Sequence, residues 1–374
     1  MAIITSAPGK YLWGTWAVLF NLAKLPFLPL YYLPRVTRPH PEWTLLQCVM
    51  NHFMNVFIYH TAVVQAVQPL DLTPGSLGDR FAAIPPVSDA VSTKIPSSNP
   101  SVVPQPTGGI WFPSPAPKGG INTASDRPIV LHFHPGGYVM GDVRMDGAFA
   151  ARLLTEKIGS HAFWPLYRLA SNPNGQFPAA LQDALAAYRY LLHEQSIPAS
   201  QIVLSGDSAG AHIVLCMLRY LSEHGEAVGL PAPRSALLFS PAIDFLDAAR
   251  NPKSVTGNRN YQNDYMDPTF VAWGARRFVT DDPAAAPYLN GLDSAFRSPC
   301  PIWVYCGGCE IFSDDATEFV RMMKGVPGNE VTYRVERLAN HDIFFAGNLL
   351  GRKAEAEKLA DDAGEWVAGL FQKQ

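Results

Sequence analysis

Downstream of Pro128, short apolar runs alternate with helix-period patterns. Ile129-Val-Leu-His-Phe-His134, the stretch around Ala162–Tyr167, Ile202–Ser205, Ala236–Phe239, Ile302–Tyr305 and Val331–Val335 are dominated by aliphatic and aromatic residues and predict strands. Apolar positions three and four apart predict helices over Phe177–His193, from Ala209 to about Ser222, and from about Arg352 to Phe371. Strands covered on both faces read as unbroken apolar runs, and parallel neighbours need helical crossovers. The alternation therefore predicts an α/β fold over residues 129–374, with a mostly parallel central sheet and helices on both faces. Residues 245–290 break the rhythm and are expected to be an insertion that contributes to a cap.

The upstream third has a different texture. Over residues 41–68, Leu45, Leu46, Val49, Met50, Phe53, Met54, Phe57 and Ile58 recur at helical spacing, a stripe suited to core or lid packing. Tyr11–Phe20 is apolar and aromatic, but Asn21, Lys24, Pro26 and Pro29 interrupt it before it reaches the ~20 residues a spanning helix needs. No clear signal-peptidase site follows it. A cap helix over a site and an interfacial anchor both remain open. Residues 1–84 are thus expected to form an N-terminal helical cap segment. Ten of the 33 prolines fall between Pro85 and Pro128, so residues 85–128 are expected to be a loop with short edge strands. There is no internal repeat.

Composition narrows the function classes. With 29 basic and 32 acidic side chains (net charge −3) and no basic run, the chain lacks the phosphate-neutralising patch that nucleic-acid binding requires. Its 48% hydrophobic and 16% charged residues point to a large core and to apolar substrates or a nearby membrane. Five cysteines (48, 216, 300, 306 and 309) are an odd number in a long chain and do not suggest a disulfide framework. Cys306-Gly-Gly-Cys309 has redox or half-zinc-site spacing, but no second pair completes a site. Free thiols imply a reducing, cytoplasmic location, with attachment to the endoplasmic reticulum membrane through the N-terminus as the alternative.

The chemistry begins at Gly206-Asp207-Ser208-Ala209-Gly210, between a predicted strand and a predicted helix. A serine on such a sharp turn is exposed at a helix N-terminus, and the turn leaves room for little but glycine around it. The hydroxyl needs a base and an orienting acid, which follow such a serine in the order acid, then histidine. Of ten histidines only His212, His224 and His341 lie downstream. The first two sit on the serine's own helix, which leaves His341, in a loop after the last strand. Glu310, Asp314 and Asp315 follow the strand ending at Tyr305; Glu310 is nearest the turn, and Asp314 is its competitor. Consecutive glycines in His134-Pro135-Gly136-Gly137 leave backbone N–H groups for an oxyanion, so Gly136 and Gly137 are expected to act beside Ala209. His132 and His134 share a strand face, which leaves a metal pair as a rival reading.

These motifs resemble the hormone-sensitive-lipase branch of the α/β-hydrolases, the group that includes arylacetamide deacetylase and microbial carboxylesterases. The resemblance runs from about Ile129 to the last helix. The family's His-Gly-Gly-Gly appears as His134-Pro135-Gly136-Gly137. Its Tyr-Arg-Leu-Ala segment appears as Tyr167-Arg168-Leu169-Ala170, followed by Phe177-Pro178-Ala179-Ala180 and Asp183. Its Asp-x-Leu-x-Asp segment appears as Glu310-Ile311-Phe312-Ser313-Asp314, with Glu in place of the first Asp. The resemblance implies a serine carboxylesterase or deacetylase with no metal or organic cofactor. Ser208, His341 and Glu310 would form the triad, and His134 and Asp207 would belong to supporting motifs. The cap, carrying Trp13, Trp16, Phe53, Phe57 and Trp273, would roof a largely apolar pocket for a lipophilic ester. An acyl transferase or cyclase would use the same triad. A non-catalytic receptor on this fold would lack the histidine.

Overall fold

A computed structural model describes residues 2–95, 99–117, 127–251 and 253–372. Parts of the proline-rich segment (96–98 and 118–126) therefore lie outside the described residues, as do positions 1, 252, 373 and 374. Among the described residues, eight strands form one sheet in the order β1-β2-β4-β3-β5-β6-β7-β8. Here β1 is Phe81–Ile84, β2 Thr107–Phe112, β3 Ile129–Phe133, β4 His161–Leu166, β5 Ile202–Asp207, β6 Ser235–Phe239, β7 Ile302–Gly307 and β8 Val331–Glu336. The pairs β1–β2 and β2–β4 are antiparallel; the rest of the sheet is parallel. The first edge strand begins at Phe81, upstream of the 85–128 segment in which edge strands were expected.

The two-residue period of a strand explains both cores. Ile129, Leu131 and Phe133 of β3, with Ile202 and Leu204 of β5, face the Ala179–Arg189 and Ala209–His224 helices. Val130 and Val203 face the opposite way, toward Ala150, Leu153 and the Lys353–Gln372 helix. The inner parallel strands β3, β5, β6 and β7 are buried on both sides, which is why their sequences run apolar without alternation, whereas the edge strand β8 is only partly buried and carries Thr332, Arg334 and Glu336.

The motif around Arg168 locks the first of these helices to the sheet. Arg168 places Nε and Nη2 on Asp183 at 2.9–3.1 Å, while its own backbone N–H donates to Asp183 Oδ2 at 2.8 Å. Nη2 also reaches Gln182 Oε1, and Nη1 reaches the Val103 carbonyl. The pair is nearly sealed from water, and burial pushes the Asp183 carboxyl up against the opposing pull of Arg168. Removing one partner strands the other charge, so Arg168→Met is expected to cost about 3–5 kcal/mol. A urea melt would show this as a lowered midpoint with an unchanged slope.

Helices from the two segments expected to form a cap pack on each other. The second helix spans Leu45–Val63 rather than 41–68, because a reciprocal capping box between Thr44 and Gln47 starts it. It packs on the Pro268–Phe278 helix of the insertion, and Asn55 Nδ2 donates to the Tyr265 carbonyl at 2.9 Å. Not all of its apolar stripe is covered: Leu46 and Phe57 are exposed. All five cysteines are free and buried.

Candidate active site

The site forms where the parallel strands end. In the β3–β5 register Phe133 pairs with Gly206, so the loop from His134 and the turn at Ser208 leave the sheet side by side. The same carboxyl edge supplies the loops after β6, β7 and β8.

Ser208 sits at φ 53°, ψ −115°, a strained conformation for a residue with a side chain. Its surroundings enforce it. Its N–H donates to the Phe239 carbonyl at 2.9 Å, and its carbonyl accepts from His212 N at 3.1 Å. A Cβ on Gly206 would lie 2.4 Å from the Gly210 backbone, and one on Gly210 would lie 2.0 Å from the Phe133 carbonyl. Only glycine fits at either position.

Ser208 Oγ lies 2.9 Å from His341 Nε2, and His341 Nδ1 lies 2.7 Å from Glu310 Oε2. The other Glu310 oxygen accepts from Ser240 Oγ at 3.1 Å and from the Gly307 N–H. All three side chains are buried. Asp314 is elsewhere, in an exposed ion pair with Arg259. His212 is also diverted: its Nδ1 meets the Tyr138 hydroxyl at 2.8 Å. His224 stands at the far end of the helix beside Glu223.

Three groups that the sequence reading did not single out hold this arrangement. Asp264, in the cap insertion, accepts N–H bonds from Ile311 at 2.8 Å and from His341 at 3.3 Å, bridging the acid turn and the histidine loop. Asn260 Nδ2 reaches the Gly308 and Glu310 carbonyls. Ser240 donates to Glu310 and accepts from the Asp342 N–H. No motif marks them, because each contact joins segments far apart in sequence. For Asn260 and Asp264 the one visible signal was the polar run Asn258–Asp264; Ser240 had none.

Burial alone would push the His341 imidazole down. The hydrogen-bonded Glu310 carboxylate, with Asp264 and Asp342, outweighs burial and raises it to about 9. Burial pushes Asp264 up to about 6 and raises Asp207 and Asp342 well above the carboxylate range.

Gly136 and Gly137 occupy φ 123° and 60°, and a Cβ on Gly136 would strike the Met140 carbonyl at 2.0 Å. The cap presses directly on this loop. Gly274 lets its helix approach the Gly137 carbonyl, where a Cβ would sit 2.5 Å away, and Phe278 stacks on Tyr138 at 3.6 Å. His134 and His132 do not converge. The His134 ring stacks on Tyr167, whose hydroxyl donates to the His134 carbonyl at 2.8 Å. His132 points to the other sheet face and bridges Ser205 Oγ (2.9 Å) and Asp207 Oδ2 (3.0 Å). Among the described residues no cluster of three or more His, Cys, Asp or Glu side chains is arranged to hold a metal.

Ser208 and His341 open onto a cavity of about 440 Å³. Met54, Ile58, Met140, Met266 and Phe270 make its wall largely apolar, and flexible methionines let it adapt to shape. Of the five aromatics expected in the roof, only Phe57 lines it; Trp13, Trp16, Phe53 and Trp273 pack elsewhere.

Residues 130–345 match the family model described as alpha/beta hydrolase fold. The chain is 37% identical over 250 residues to the versiconal hemiacetal acetate esterase of Emericella nidulans, covering 60% of this chain and 82% of that one. It is 29% identical over 193 residues to an acetyl-hydrolase of Streptomyces hygroscopicus, covering 51% of this chain and 60% of that one. In three dimensions it is similar to an esterase from the bacterial hormone-sensitive lipase family, with a TM-score of 0.61, 22% identity, and coverage of 88% and 99%.

Proposed function

The chain belongs to the α/β-hydrolase family, and from that premise we propose that it hydrolyses short-chain, acetate-type esters of lipophilic alcohols through an acyl-enzyme on Ser208. The observation that carries this reading is the unbroken series Ser208 Oγ–His341–Glu310, opening on an apolar cavity. Relatives named as an acetyl-hydrolase and an acetate esterase support the short acyl group, and the apolar wall supports the lipophilic alcohol.

The proposed reaction runs in two halves. Ser208 Oγ attacks the ester carbonyl while its proton passes to His341 Nε2 at 2.9 Å. The negative charge that develops on the carbonyl oxygen is stabilised by the N–H groups of Gly136, Gly137 and Ala209. His341, held by Glu310, then delivers that proton to the departing alcohol oxygen as the C–O bond breaks. Water attacks the acyl-enzyme, gives its proton to His341, and releases the carboxylic acid as Ser208 recovers its proton. Glu310 fixes the tautomer and stabilises the transient imidazolium. Asp207 and His134 have no part in proton transfer; they brace the turn and the oxyanion loop.

The test is a series of p-nitrophenyl esters from acetyl to decanoyl. The highest kcat/KM is expected at the short end, with decanoyl lower by about tenfold or more. A preference for decanoyl would contradict the acetate-type reading. Covalent labelling without turnover of any ester would instead favour an acyl transferase or cyclase.

A further inference from the structure

The Gly9–Lys24 helix is apolar around nearly its whole circumference, yet it fully buries only Ala17 and Asn21. Helices of this kind are ordinarily enclosed in a core or in lipid. Here Leu12 and Leu19 are 69% and 62% exposed, and Phe27, Leu30 and Val36 extend the bare surface. Its attachment to the rest of the molecule is a narrow polar seam. Trp13 Nε1 and Asn21 Nδ2 meet the His60 ring of the Leu45–Val63 helix at 3.1 and 3.4 Å.

Charge says what covers this surface. Although the whole chain is net negative, its first 41 residues contain Lys10, Lys24, Arg35 and Arg38 and no Asp or Glu. The Lys24 ammonium lies 4.0 Å from the centre of the exposed Phe20 ring, which sets a cation beside apolar surface as at a membrane interface. Tyr11, Trp16 and Tyr31 add the amphipathic rings favoured at headgroup depth. Among the described residues no helix is long and apolar enough to cross a bilayer. The arrangement is that of a segment lying in the interface.

We propose that residues 3–36 dock on the surface of an anionic lipid bilayer and set the mouth of the Ser208 cavity against it. The link between patch and mouth is on the Leu45–Val63 helix. Trp16 packs edge-on to His60. Phe57, three residues before His60, is exposed and lines the cavity, as do the exposed Met145 and Leu349 on its rim. An ester dissolved in the bilayer would then reach Ser208 without crossing water. That last step rests on the esterase reading; the docking does not.

Sedimentation of the full chain with sucrose-loaded vesicles tests this, comparing phosphatidylcholine alone with an equal mixture of phosphatidylcholine and phosphatidylglycerol. The chain is expected to pellet with the anionic vesicles and to be released by salt. Leu12→Glu with Leu19→Glu should weaken partitioning to both vesicle types by about tenfold or more. Lys10→Gln with Lys24→Gln should weaken it about tenfold on anionic vesicles only. Both variants should keep wild-type hydrolysis of soluble p-nitrophenyl acetate, while hydrolysis of a long-chain alcohol acetate carried in the vesicles falls in step with binding. A wild-type chain that stays in the supernatant overturns the docking even while it hydrolyses p-nitrophenyl acetate. Equal binding to both lipid compositions overturns the anionic component. A concentration-dependent dimer that Leu12→Glu with Leu19→Glu dissolves, without vesicle binding, assigns the face to a second copy and overturns the proposal. Vesicle binding without any ester hydrolysis would leave the docking standing and remove the esterase reading instead.

Discussion

Glu310→Gln is expected to lower kcat by about 1,000- to 10,000-fold, while Asp314→Asn leaves it within about twofold. The amide keeps the shape of the side chain but cannot stabilise an imidazolium, and it lets His341 settle in the wrong tautomer. Asp314 only joins an exposed surface pair with Arg259. The same substitution has a signed consequence for pH. Activity requires neutral His341, so kcat/KM rises with pH through the histidine's pKa. Because Glu310 is the chief group holding the imidazole up against burial, the wild-type acid limb should lie above the ordinary 6.5, toward about 9. In Glu310→Gln burial prevails, and the residual activity should titrate lower than in wild type. A wild-type limb below 6.5, or a large loss in Asp314→Asn, would show that Glu310 does not hold the base.

Ser208→Ala is expected to be the most damaging single change, lowering kcat by about a million-fold. Any residual rate would come from the oxyanion donors and the shaped cavity alone. The Ser208 side chain is small and its φ is imposed by flanking backbone contacts. The variant should therefore unfold within about 1 kcal/mol of wild type in urea. Loss of activity together with that stability separates lost chemistry from lost structure. Retained turnover would mean that another residue attacks the ester.

The parts of this molecule that were legible in the sequence are those written in local periodicity or steric necessity. The inner parallel strands show as unbroken apolar runs because both faces are buried. The turn at Ser208 shows in Gly206 and Gly210 because no other residue fits there. His341 stood out as the one downstream histidine away from the serine's helix. Asp264, Asn260 and Ser240 stayed hidden because their roles exist only once the cap, the acid turn and the histidine loop meet. The apolar stripe over 41–68 overstates the Leu45–Val63 helix although its start is readable: Thr44 and Gln47 carry a capping box, which excludes a helix that begins at Pro41. The Tyr11–Phe20 run was legible as an apolar helix but not in its role. Its apolar composition left a cap helix and an interfacial anchor both open, because periodicity does not name a partner, and this helix turns most of its surface outward.

The central claim, that Ser208 is the activated nucleophile, is tested most directly by labelling with a fluorophosphonate followed by peptide mass spectrometry. The expected result is a single adduct on Ser208 in the wild-type chain and none in Ser208→Ala. An adduct on a different residue, or equal labelling of both chains, would contradict it.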